Sequence, residues 1–291
     1  MSQDTGDADG TLLVPIANEE TADRQLDTAI DIAADRSYRI LLVFVLEIPP
    51  QLSLVDGRRY LLEDEHEELL ADAVERVESR GISADQRIRM ARGVATGIVG
   101  AVDKHDVDAI LLGWRGRPPR QNVVLGSHVD RVLGDAQCDV LVQRIKTSRP
   151  ENVDSVLVPV AGGPHDAFAA DTAASIARRN DASVTLLHVL EPAEPELSRD
   201  EATALLAERT DGFEGVQSVD QHVVEDDDVG GTITDQTAEH DVTVLGISRG
   251  GLLQRALLGT ISDGVGRHAA GTVILAKRHD PVSSRLRRLL P

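Results

Sequence analysis

The sequence predicts an α/β protein built of two repeated doubly wound domains, each a five-stranded parallel sheet with helices on both faces. Three observations carry this expectation. The chain is one unit written twice: LLVPIA at 12–17 returns as VLVPVA at 156–161, and ILLVFVLE at 40–47 returns as VTLLHVLE at 184–191, both at an offset of 144. Short apolar runs alternate with helical stretches, the pattern of strands buried on both faces. The length, 291 residues, matches two domains at ~100–200 residues each.

The elements follow in order. An apolar run at 11–17 reads as a buried first strand. A helix is expected over 20–36, with Leu26, Ile30, Ala33 and Ala34 on one face. A second strand covers 39–46. A long Glu-rich helix spans about 58–80 and stops at Gly81, a residue suited to a helix C-terminus. A third strand at 84–91, a short helix at 94–105 and a fourth strand at 108–113 follow. A Gly/Pro/Arg loop at 113–125 leads to a last helix from Ser127 and a fifth strand at 138–144. Strands near 154–160, 183–190, 216–224, 242–247 and 272–277 repeat the series.

The later matching pairs, LLGWRG at 111–116 with VLGISR at 244–249 and VLVQR at 140–144 with VILAK at 273–277, are offset by 133. The second copy is therefore 11 residues shorter, the loss falling between its second and fourth strands. The expected domains are 1–146 and 152–280, joined by a polar linker containing Pro150 and followed by a tail at 281–291. Arg285, Arg287 and Arg288 alternate there with Leu286, Leu289 and Leu290, a pattern suited to a short packed helix or to a membrane surface or partner.

Composition narrows the function classes. The net charge is −19, and only Lys104, Lys146 and Lys277 among the 30 bases are lysine. A dispersed acidic, lysine-poor surface suits a halophilic protein and argues against nucleic-acid binding, which needs a basic face. No apolar stretch reaches the ~18–20 residues of a membrane span, and the polar start is not a secretory leader, so a cytoplasmic location is expected. Cys138 is the single cysteine and reads as a small core residue. The nine histidines show no metal-binding spacing. Asp226, Asp227 and Asp228 read as a solvated helix start.

The loop after the fourth strand is the informative segment. Its glycines fall as G-x2-G-x9-G-[ST]: Gly113, Gly116, Gly126 and Ser127. Glycine lets backbone approach a ligand and accept positive φ. Gly126-Ser127 opens a helix, whose free N–H groups and positive dipole end favour a phosphate. Arg115, Arg117 and Arg120 lie in this loop, and no acid occurs from Ala109 to Val129 or from Val242 to Ser262. His128 and His165 lie near strand ends, and Trp114 reads as a loop residue that packs as a lid or interface.

With these motifs the chain resembles a tandem universal stress protein over nearly its whole length, twice. The resemblance implies an adenine nucleotide α-hydrolase-like fold, the two domains packing about a pseudo-twofold axis as a dimer within one chain, with a homodimer of chains as a further state. It implies that Gly113 and Gly116 contact ribose and α-phosphate, Gly126 and Ser127 the distal phosphates, and Pro15 and Val45 the adenine. In the second copy the matching positions are Pro159, Val189, Gly246, Gly259 and Thr260. The family's strand-end Asp is replaced by Ala17 and Ala161, and Arg249 stands where the second glycine belongs, beside Gly250.

VPVAGG at 158–163, LGWRG at 112–116 and the tail resemble most the stress-protein domains behind amino-acid permeases of salt-loving archaea. The resemblance implies a cytoplasmic regulatory or stress-response module binding ATP or AMP, with Mg only alongside ATP. The alternative is a protein-interaction module that regulates a membrane amino-acid transporter and binds no nucleotide. No catalytic triad, carboxylate pair or metal arrangement can be assembled from the residues, so at most slow ATP hydrolysis is expected.

Overall fold

A computed structural model describes residues 8–115, 125–145, 150–192, 197–247 and 271–280. The chain divides into two compact units, Met1–Gly113 with Ser127–Leu141 and Arg278–Pro291, and Trp114–Gly126 with Val142–Lys277.

The first copy contains β1 (Gly10–Pro15), α1 (Glu19–Arg36), β2 (Tyr38–Glu47), α2 (Leu54–Leu61), α3 (Asp64–Glu78), β3 (Ala84–Ala91), α4 (Val94–His105), β4 (Ala109–Trp114), α5 (Ser127–Asp135) and β5 (Asp139–Arg144). Its strands lie in the order β3-β2-β1-β4-β5. The pairings of β1 with β2 and β4, and of β2 with β3, are parallel. The order reverses between β1 and β4. Right-handed crossovers on either side of that reversal place α1 and α3 on one face and α4 and α5 on the other. Leu12, Leu13, Val14, Ile40, Leu42, Ile110 and Leu111 are fully enclosed between these layers.

The second copy repeats the plan with β6 (Ser155–Pro159), α6 (Asp166–Asn180), β7 (Ser183–Leu190), α7 (Arg199–Thr210), β8 (Ser218–Glu225), α8 (Val229–Ala238), β9 (Val242–Gly246) and β10 (Thr272–Lys277). Its strands run β10-β9-β6-β7-β8. The pairings are again parallel, and Val156, Leu157, Val158, Val184, Leu186, Val244 and Ile274 are buried.

All ten expected strands form. The long helix expected at 58–80 is instead two, α2 and α3. Leu62 adopts extended backbone (φ −79°, ψ 122°). The Glu63 N–H then donates to Nδ1 of His66 at 3.2 Å, which starts a new helix at Asp64. The His66 ring also lies on Phe44, centroids 4.5 Å apart, and this contact seats α3 on the sheet. Among the described residues the second copy makes the same crossover with α7 and a short 3-10 turn at Asp211–Phe213, and here lies its shortening.

Helix starts follow the local chemistry. Asn18 accepts from the N–H of Thr21 at 2.9 Å, and Ser198 pairs reciprocally with Glu201. The acidic run behaves as expected: Asp228 accepts from the Gly231 N–H at 2.9 Å, and Asp226 accepts from the Asp228 N–H and the Thr232 hydroxyl. Cys138 is buried and forms no disulfide. Among the described residues no helix is long and apolar enough to cross a membrane.

Candidate functional site

Ligands of open parallel sheets sit at the carboxyl ends of the strands where the order reverses. In the first copy this is the end of β1 beside β4. β1 closes on half-buried Pro15, the Ile16 N–H donates to the Val43 carbonyl at 2.9 Å, and Ala17 is exposed. Val45 on β2 is half-buried and lies against α4, where a Cβ on Gly97 would come within 2.5 Å of its Cγ1. Gly113 is half-buried near the end of β4, and Arg115 is exposed just beyond it.

Gly126 carries φ +119°, a conformation that L side chains rarely adopt, and among the described residues a Cβ built on it would meet nothing within 4 Å. Its backbone is thus open to approach. Ser127 and His128 follow, both exposed, in the first turn of α5. Gly116, Arg117 and Arg120 lie outside the described residues. Trp114 corrects the sequence reading: it is the last residue of β4, 3% exposed, and belongs to the core rather than to a loop. An apolar indole at a strand end gains more from burial than from a solvated lid position.

The second copy is arranged differently. Pro159 is buried, Val189 half-buried and Ala161 exposed. Between β6 and α6 runs a Gly-Gly-Pro loop, and α6 starts seven residues after Pro159, where α1 starts four after Pro15. Asp166, 4% exposed, folds this loop back: its Oδ2 accepts from the N–H groups of Ala161 at 2.8 Å and Gly163 at 3.0 Å. The start of α6 is thereby pressed onto Gly246. A Cβ there would lie 2.6 Å from Asp166 Oδ1, 2.9 Å from the His165 carbonyl carbon and 3.0 Å from the Asp166 nitrogen. Gly246 therefore has a packing reason to be glycine, whatever it does for a ligand. Arg249, Gly259 and Thr260 lie outside the described residues.

Electrostatics sort the neighbouring concavities. A groove of about 550 Å³ between α1 and α3 includes Ala17, but its rim is Glu19, Asp23, Glu65, Glu68 and Asp72. Arg76 in that groove is tied to Asp23 and Asp27 at 2.9 and 3.0 Å. A phosphate would be repelled from it.

Comparison with known proteins decides the lineage. The model of the universal stress protein family matches residues 10–144 and again 152–277. The chain belongs to the universal stress protein family. A universal stress protein of Methanocaldococcus jannaschii is 26% identical over 137 residues, 45% of this chain and 79% of that protein. Among solved structures, a universal stress protein from Archaeoglobus fulgidus superposes with TM-score 0.65 at 19% identity, covering 93% of this chain and 97% of that one. A putative universal stress protein from Pseudomonas aeruginosa gives TM-score 0.62 at 20% identity, covering 96% of each. The cytoplasmic domain of a prokaryotic cation chloride cotransporter gives TM-score 0.56 at 12% identity, covering 97% of this chain and 99% of that one. These likenesses show a shared fold.

Two residues of consequence escape sequence reasoning. Asp166 lies five positions beyond Ala161, the position where the family places its carboxylate, so a search at that position misses it. Arg144 ends an apolar strand and is 3% exposed, a burial that its charge does not signal.

Proposed function

We propose that this universal stress protein is an adenine-nucleotide-binding regulatory module in which the first copy holds ATP or AMP and the second does not. The observation that carries this reading is Gly126: left-handed backbone, open space at its Cβ among the described residues and a helix start immediately behind it. These are the features an anion needs to approach backbone N–H groups. Gly126 and Ser127 would hold phosphate, Gly113 the sugar side, and Pro15 and Val45 the base. Mg would accompany ATP only. In the second copy the start of α6, folded back by Asp166, packs onto Gly246 and would leave no room for a ligand at that strand end. Calorimetric titration of the full chain with AMP and with Mg-ATP tests the reading. Saturable heat that disappears in Gly126→Val supports it, and no binding of either nucleotide overturns it.

A second reading, a protein-interaction module for a membrane amino-acid transporter, has one observation in its favour. On α2, Leu54, Val55 and Tyr60 are exposed, at 44%, 80% and 65%. These exposed apolar side chains, spread round α2, would suit a protein partner. A bound transporter segment that leaves nucleotide affinity unchanged and protects α2 from hydrogen exchange would favour it.

A further inference from the structure

Trp114 ends β4 and Arg144 ends β5. The Asp139 N–H donates to the Asp108 carbonyl at 3.1 Å and the Ile145 N–H to the Trp114 carbonyl at 2.8 Å. Where such bonds close the other parallel ladders of this chain, the donor follows the laterally paired residue by one, as Ile16 on Val43 does with Pro15 opposite Val43. Arg144 therefore stands directly beside Trp114, and their side chains leave the same face of the sheet. Both belong to the same compact unit.

Each residue is 3% exposed, and each holds a buried N–H donor with no acceptor among the described residues: the indole Nε1 and the guanidinium Nε. Among the described residues Arg144 forms no ion pair. Burial alone lowers its pKa from the ordinary arginine value. A charge this enclosed is costly without a counter-charge, and buried donors without acceptors add to the cost. The matching residue of the second copy, Lys277, is only half-buried, so this pairing is confined to the first.

We propose that Trp114 and Arg144 form an oxyanion subsite for a phosphate group. A guanidinium offers a planar fork that suits phosphate oxygens, and the indole N–H adds a further donor beside it. The subsite goes beyond the glycine-loop reading, since it asks only for an oxyanion and not for adenosine. The phosphate is either free or carried by a nucleotide.

Trp114 is the only tryptophan of the chain, so its emission reports on the subsite directly. The full chain is titrated with inorganic phosphate and, separately, with AMP, in a KCl background, while AMP binding is followed in parallel by equilibrium dialysis. A saturable emission change is expected, with affinity about 10–100-fold weaker in Arg144→Gln, the loss of a charge-assisted hydrogen bond. Response to phosphate supports a site for the free anion, and response to AMP alone supports a nucleotide-borne phosphate. Phosphate response without AMP binding supports the subsite and contradicts the nucleotide reading. AMP binding with no Trp114 response to either ligand overturns the subsite only. No response and no binding overturns both.

Melting separates a ligand role from a structural one. Arg144→Met should melt above the wild type in phosphate-free buffer, because a buried unpaired charge is gone, and phosphate should raise the melting temperature of the wild type alone. A lower melting temperature for Arg144→Met in phosphate-free buffer, with no phosphate-induced rise in the wild type, overturns the proposal.

Discussion

The carboxylate of Asp166 stands where a side chain on Gly246 would have to be: a Cβ there would lie 2.6 Å from Oδ1. The other contacts at 2.9 and 3.0 Å are to backbone atoms of His165 and Asp166, which cannot rotate away. Gly246→Ala should therefore destabilise the protein by about 1–3 kcal/mol, the usual cost of overpacking. Urea unfolding measures it, and a change below a few tenths of a kcal/mol would show that the start of α6 moves freely.

Asp166→Ala probes the same contact from the other side. It removes two backbone-to-carboxylate hydrogen bonds, at 2.8 and 3.0 Å. The expected loss is about 1–2 kcal/mol, in the range of a helix-start carboxylate. Hydrogen exchange should show the amides of Ala161 and Gly163 losing protection. Unchanged protection at both would mean that the loop holds itself.

Most of the architecture is legible in the sequence, because strands buried on both faces must be continuously apolar and because the repeat checks each assignment against its twin. LLVPIA and VLVPVA name β1 and β6 without ambiguity. The break between α2 and α3 is not legible in the same way. It depends on the His66 ring reaching back to the Glu63 N–H while lying on Phe44, a tertiary contact that helical periodicity does not carry. The site divides likewise. Gly126 and Ser127 are readable as glycine pattern and helix start. Asp166 is not, because its role comes from a loop that lets a residue five positions away reach back to the strand end.

Glu201 gives a pH prediction. Its carboxylate accepts from the Ser198 N–H at 2.8 Å and the Ser198 hydroxyl at 2.7 Å, and these bonds lower its pKa from the ordinary value. A carboxyl with a lowered folded-state pKa stabilises above its unfolded pKa. That contribution is lost as the pH falls through the folded value. Carbon-detected NMR titration should find Glu201 below the ordinary glutamate range, and Ser198→Ala should move it back up. A Glu201 that titrates normally in the wild type contradicts the capping box at the start of α7.

Salt should stabilise the chain. With a net charge of −19, self-repulsion is strongest where the Debye length is ~10 Å, at 0.1 M, and weakest near ~3 Å, at 1 M. The melting temperature should rise on going from about 0.1 M to 1 M KCl. A flat or falling curve would show that the acidic surface is already compensated.

The central claim is that one copy binds and the other is closed by its own helix. Native mass spectrometry of the full chain in excess AMP counts ligands directly. One nucleotide per chain in the wild type, and none in Gly126→Val, is the predicted result. Two nucleotides per chain, or one that survives Gly126→Val, would contradict it.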